Sequence, residues 1–141
     1  MKRTLGWMSI LLLTAACSNE SFDESDLTGA WRGHDVEIVT SDPSLVSIFK
    51  KQYSLHKSSV LNFSENKTYS FQEMTTHTST DGKWYVNDQK LLITNFGDTV
   101  AYQIVKLTED SLITSSTVHF DKAANGEKLE VEILQTYAKA D

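Results

Sequence analysis

The sequence predicts an all-β domain, an antiparallel up-and-down barrel of about eight strands with one helix between the first and second. Three observations carry this expectation. From Leu27 onward, short runs of β-forming residues are separated by turn residues at intervals of roughly 8 to 12, the spacing of a sandwich or barrel. The runs cover residues 30–39, 59–64, 68–74, 82–86, 90–94, 99–107, 111–120 and 128–138. The punctuation between them, such as Glu65-Asn66-Lys67, Asn87-Asp88-Gln89 and Asn95-Phe96-Gly97-Asp98, is of hairpin length, which makes sequence neighbours into sheet neighbours. About eight strands joined this way can close on themselves and leave no exposed edge.

The helix is the third observation. Asp42 is a good N-cap and Pro43 suits a first helical position, after which Leu45, Ile48, Phe49 and Tyr53 recur at helical spacing. These place a helix of about three turns at Pro43 to His56. The strands alternate as half-buried strands should. Leu129, Val131, Ile133 and Tyr137 share one face of the last strand, with Lys128, Glu130 and Glu132 on the other. By the same parity Tyr69 and Phe71, Trp84 and Val86, and Val100, Tyr102 and Ile104 point inward. In the seventh strand Leu112, Val118 and Phe120 do so, with Thr114 and Ser116 between them.

The domain is preceded by a segment of different character. Lys2 and Arg3 are followed by an apolar run from Leu5 to Ala16, too short to span a bilayer, which needs about 20 apolar residues. It ends in Leu13-Thr14-Ala15-Ala16-Cys17, which resembles the lipobox of bacterial lipoproteins. That resemblance implies a signal peptide at residues 1–16 and lipid on Cys17, the single cysteine of the chain. Ser18 to Asp26, with Glu20, Asp23, Glu24 and Asp26, then reads as a solvated acidic tether, and residues 27–141 as the folded domain. In lipoproteins of this kind an Asp after the cysteine favours the inner membrane, so Ser18 is compatible with lipid anchoring in the outer membrane, on its periplasmic or its cell-surface face. The net charge is −6, and loss of Lys2 and Arg3 takes it to −8. Such a balance excludes nucleic acid as a natural partner and leaves membrane attachment to the anchor.

Leu27-Thr28-Gly29-Ala30-Trp31 resembles the Gly-x-Trp opening of lipocalins. The order of Val60-Leu61-Asn62-Phe63, Lys67-Thr68-Tyr69, Asp81-Gly82-Lys83-Trp84-Tyr85-Val86, Lys90-Leu91-Leu92-Ile93 and Tyr102 to Leu112 is similar to bacterial lipocalin-like domains over nearly the whole mature chain. The resemblance implies that Trp31 closes one end of the barrel. A basic residue often packs on that Trp in lipocalins, and Lys139 is the one in the corresponding region. Related fatty-acid-binding barrels carry a lid between the first two strands. The analogy makes Pro43 to His56 a cover for the mouth, with Leu45, Phe49 and Tyr53 against the upper inward residues and Lys50 and Lys51 placed to meet an acidic ligand group. The other reading is a helix that closes a gap in the core and never moves, since most amphipathic helices serve only packing.

No nucleophile elbow or phosphate-cradling glycine loop occurs, and no catalytic residue or cofactor is expected. His34, His56, His77 and His119 lack ligand spacing, so no metal is expected either. Asp98-Thr99-Val100 and Asp110-Ser111-Leu112 match a short pattern for O-glycosylation in some envelope proteins. Asp35 and Glu37 share the parity of Trp31 and are candidates to face the mouth. Together with Phe49, Tyr53, Tyr69, Phe71, Trp84 and Tyr102 they form the expected ligand-contact set. Two functions remain open at this point. The first is a monomeric, lipid-anchored barrel that binds a small apolar or amphipathic molecule. The alternative is a surface module or inhibitor, its barrel filled by its own side chains, that contacts a protein or glycan.

Overall fold

The protein is described by a computed structural model for residues 22–121 and 126–141, so Cys17, the signal segment and the first part of the tether lie outside the described residues. Eight strands form a closed barrel in chain order, each antiparallel to the next and the last to the first. They are β1 (Gly29–Val39), β2 (Ser59–Phe63), β3 (Thr68–Glu73), β4 (Thr78–Asn87), β5 (Lys90–Asn95), β6 (Asp98–Leu107), β7 (Ser111–Asp121) and β8 (Lys128–Lys139). A short turn of helix, α1 (Glu24–Leu27), precedes β1, and α2 (Ser44–Lys57) separates β1 from β2. The strand runs and the helix of the sequence reading therefore stand. β4 begins earlier than expected, at Thr78, because its polar first turn pairs with β3 as far as Glu73–Thr78.

Part of the expected acidic tether is folded. Asp23 caps α1 by accepting from Ser25 N–H at 2.9 Å, Phe22 packs against the barrel core, and Glu24 forms an ion pair with Lys67. Leu27, fully buried, ends this turn and anchors it under the barrel.

One end of the barrel is sealed by two tryptophans held in the same way. Trp31 donates its indole N–H to the Leu27 carbonyl at 2.8 Å, and Lys139 Nζ lies 4.3 Å from its ring. Gly29, at φ +116°, leaves room for the Lys139 side chain as it reaches the Thr28 carbonyl. Trp84 donates to the Ser64 carbonyl at 3.0 Å, with Lys67 Nζ 4.2 Å from its ring and Phe63 edge-on at 5.5 Å. Each indole buries its rings while its one donor is satisfied and a cation lies over one face.

The other end is built differently. β1 pairs with β2 only from Gly29–Phe63 to Arg32–Val60, yet continues alongside β8 to Val39–Glu132. The register of the β1–β8 ladder shifts between Gly33 and Asp35, so His34 is a bulge. The bulge reverses the parity of the upper half of β1, turning Val36 and Ile38 inward and Asp35 and Glu37 outward, where both are exposed. α2 lies on the inner face of the tall wall made by β1, β7 and β8. Its Leu45 and Phe49 are buried against Val131 and Ile133, with Val36, Ile38, Val118 and Phe120 around them. Phe49 meets Phe120 edge-on at 5.8 Å. Ile48, expected in the same stripe, is 63% exposed.

At its last turn α2 meets the wall so closely that a Cβ at Gly33 would stand 1.8 Å from the His56 carbonyl oxygen. Gly33→Ala is therefore expected to cost about 2–3 kcal/mol in chemical unfolding, through displacement of backbone rather than of a flexible side chain. Trp31→Ala is expected to cost about 3–5 kcal/mol by the same measurement, since it empties the sealed end.

Candidate ligand-binding site

Between the sealed end and α2 the barrel holds a cavity of about 210 Å³. Its wall is built from residues of seven strands: Leu61, Tyr69, Phe71, Leu91, Ile93, Tyr102, Leu112 and Tyr137 are its apolar and aromatic surface, and Thr80, Asn95, Thr114 and Gln135 its polar one. A second chamber of about 480 Å³ opens above it, lined on one side by Gln52, Leu55 and His56 of α2 and on the other by Val100 to Tyr102 and Ser116 to Val118. Phe71, Tyr102, Gln135 and Tyr137 line both spaces.

The upper chamber exists because the barrel wall is split there. β6 and β7 pair from Leu107–Leu112 only as far as Gln103–Ser115. Above that point residues 98–102 pair with β5 and residues 116–121 with β8, but not with each other. One edge of the split, β7, belongs to the wall that α2 covers.

The electrostatics of the lining are uniform. Burial pushes the phenols of Tyr69, Tyr102 and Tyr137 above the ordinary tyrosine range, so all three stay protonated. His56 donates from Nε2 to the Thr136 carbonyl at 2.8 Å, which leaves Nδ1 as the acceptor facing the Gln135 amide at 3.4 Å. Burial lowers its pKa, and its ring stands edge-on to Tyr137 at 4.7 Å. No lining residue therefore carries a charge at neutral pH.

Glu73, at the mouth end of β3, is already committed. Glu73, paired with Ser59 across β2 and β3, accepts hydrogen bonds from the Ser58 hydroxyl, from Thr75 N–H at 3.0 Å, and from the N–H and hydroxyl of Thr76. These bonds, that from Ser58 first, hold its pKa at about 2, below the ordinary 4.5. Glu73 thereby ties the end of α2 to the β3–β4 turn. A carboxyl with a depressed pKa stabilises the fold fully above its unfolded value and loses that contribution as pH falls through the folded one. Wild-type stability should thus fall between pH 4.5 and about 2. Glu73→Gln should be less stable at pH 7 and flatter across that acid range in denaturant titrations.

Of the residues expected to contact ligand, Tyr69, Phe71 and Tyr102 come together in the cavity. Trp84 is inward, but it lies in the sealed layer beneath. Phe49 and Tyr53 instead line a groove of about 480 Å³ between α2 and β1, shared with Val36, Ile38 and Lys50. Asp35 and Glu37 are outside the barrel because of the His34 bulge. Lys50 and Lys51 are exposed and line neither chamber of the barrel. His56, Thr114, Gln135 and Tyr137 were missed as a group; alternation in β7 and β8 already placed Thr114 and Tyr137 inward, and nothing in the sequence marked His56. Among the described residues no three His, Cys, Asp or Glu side chains gather as a metal site would require.

This is the architecture of a small closed antiparallel barrel with an internal cavity. Residues 27–114 match the family model described as a lipocalin-like domain, and the chain belongs to that family. Among solved structures, the chain is similar to a bovine odorant-binding protein crystallised with its natural ligand. The identity is 16%, with 86% of this chain and 76% of the other covered and a TM-score of 0.46. No curated protein matches the chain.

Proposed function

We propose that the protein is a bacterial envelope lipoprotein, anchored through Cys17 to the outer membrane, whose barrel binds a small apolar or amphipathic molecule. The observation that carries the binding reading is the internal cavity itself: it is lined by aromatic and aliphatic side chains with a few convergent polar groups, and four of its residues also line the chamber above it. At about 210 Å³ it exceeds the roughly 150 Å³ that accommodates a benzene ring.

The anchor sets the orientation. Phe22 and α1 pack at the sealed end, and Cys17 precedes Phe22 by five residues. An extended chain of that length reaches at most roughly 18 Å. The sealed end is then the one held near the membrane, and the mouth is turned away from it. The ligand exchanges with the surrounding medium rather than with the bilayer that carries the protein.

The surface-module reading retains one supporting observation. Phe96 is 94% exposed at the β5–β6 hairpin tip on the mouth rim, at φ +50°, a conformation costly for a bulky side chain. Such a residue fits contact with a macromolecular partner.

Two measurements test the proposal. Cys17→Ser should move the protein from the detergent phase to the aqueous phase in detergent partitioning, or leave it as uncleaved precursor; normal cleavage with normal partitioning would remove the anchor. Native mass spectrometry of protein isolated from its own envelope should show a retained small molecule. A mass equal to the lipidated chain alone, with no uptake of the uncharged fluorophore N-phenyl-1-naphthylamine, would favour the surface module.

A further inference from the structure

Resting on the reading of the barrel as a binding protein, we infer that its cavity selects uncharged molecules bearing one hydroxyl or phenol oxygen, docked on Thr114 among the three tyrosines. Thr114 carries the argument. It is 2% exposed, it lines the cavity, and its hydroxyl is the one buried side-chain polar atom without a hydrogen-bond partner among the described residues. Tyr137 is its polar neighbour, and the Thr114 hydroxyl opposes the rise of the Tyr137 pKa, yet the two do not meet in full hydrogen-bond geometry and the Thr114 oxygen is left unsatisfied. A buried hydroxyl with nothing to bond costs free energy that a ligand oxygen recovers on binding.

The surroundings decide what that ligand is. The electrostatic coupling of the Tyr137 phenol to those of Tyr69 and Tyr102 places the three in one polar cluster, and all three line the cavity. Gln135, opposite Thr114 across the β7–β8 ladder, adds an amide. Hydroxyls and an amide both donate and accept, so they suit a neutral group that does the same. They do not neutralise a charge. A buried carboxylate or ammonium needs a counter-charge, and the lining has none. Glu73, ionised and already holding four donors, lines neither chamber and offers a cation no counter-charge there. Lys50 and Lys51, the cations expected to receive an acidic head group, face away from both chambers.

The experiment uses the domain loaded with N-phenyl-1-naphthylamine at pH 7 and displaces the fluorophore with four ligands of one shape: 4-ethylphenol, ethylbenzene, 4-ethylbenzoic acid as its anion, and 4-ethylbenzylamine as its cation. The phenol should displace the probe at least about tenfold more effectively than either ion. Thr114→Val keeps the shape of the side chain and removes the oxygen. It should weaken the phenol about fivefold, as loss of one neutral hydrogen bond does, and leave ethylbenzene unchanged or tighter. The unliganded variant should be no less stable than the wild type. Equal displacement by the anion, or an unchanged phenol affinity in Thr114→Val, overturns the selectivity while leaving the barrel a binding protein. Absence of any binding by probe and ligands alike overturns both.

Discussion

Between the His56 carbonyl and Gly33 there is no space for a methyl group, and this contact governs how the open half of the barrel is arranged. A helix can lie against the inside of a barrel wall only where strand side chains leave room for its backbone. Glycine provides that room at one position, and the bulge at His34 provides the rest by turning Val36 and Ile38 toward the helix. β2 is then not needed beside the upper part of β1. The two halves of the molecule follow: a lower half whose strands pair on both sides around two tryptophans, and an upper half in which α2 stands in for missing sheet.

Charge is sorted as strictly as shape. With −6 overall, the chain has many carboxylates to place, and its strands put them outward or clasp them, as Glu73 is clasped at the rim. Glu132, on the outer face of β8, is bonded by Ser115 at 2.6 Å. The interior receives only groups that hydrogen-bond without ionising at neutral pH, the protonated tyrosines and the neutral His56 among them. A low-dielectric cavity of this kind discriminates against charge by desolvation alone, and its polar groups act on ligand orientation rather than on net attraction.

How much of this was legible from the sequence depended on whether strict alternation held. In β8 it did, and Val131, Ile133 and Tyr137 are buried in the order their parity implied. In β1 it failed at one residue: a bulge has no reliable signature in a single sequence, and it reversed the assignment of Asp35 and Glu37. Trp84 shows a different limit. Parity correctly turned it inward, but whether an inward residue lines the cavity or seals the base depends on the stagger of its strand around the barrel, which alternation does not encode. Thr114 was placed inward as a small polar residue; that its hydroxyl would lack a partner follows only from the three-dimensional packing of β7 against its neighbours.

The same packing bears on how a molecule would reach the cavity. The analogy with a lid requires α2 to lift, and α2 is held along its length: Leu45 and Phe49 in the upper cluster, His56 on the Thr136 carbonyl, and Ser58 on Glu73. Raising it would expose that cluster and strip several buried polar groups of their partners at once. The split between β6 and β7 asks for none of this. Its two edges are already unpaired with each other above Gln103–Ser115, and Tyr102 stands at once on its margin and in the cavity wall. Widening it needs only a small separation of strand ends that share no ladder. The route of least disruption is therefore lateral, through the wall, with α2 serving as the fixed side of the opening.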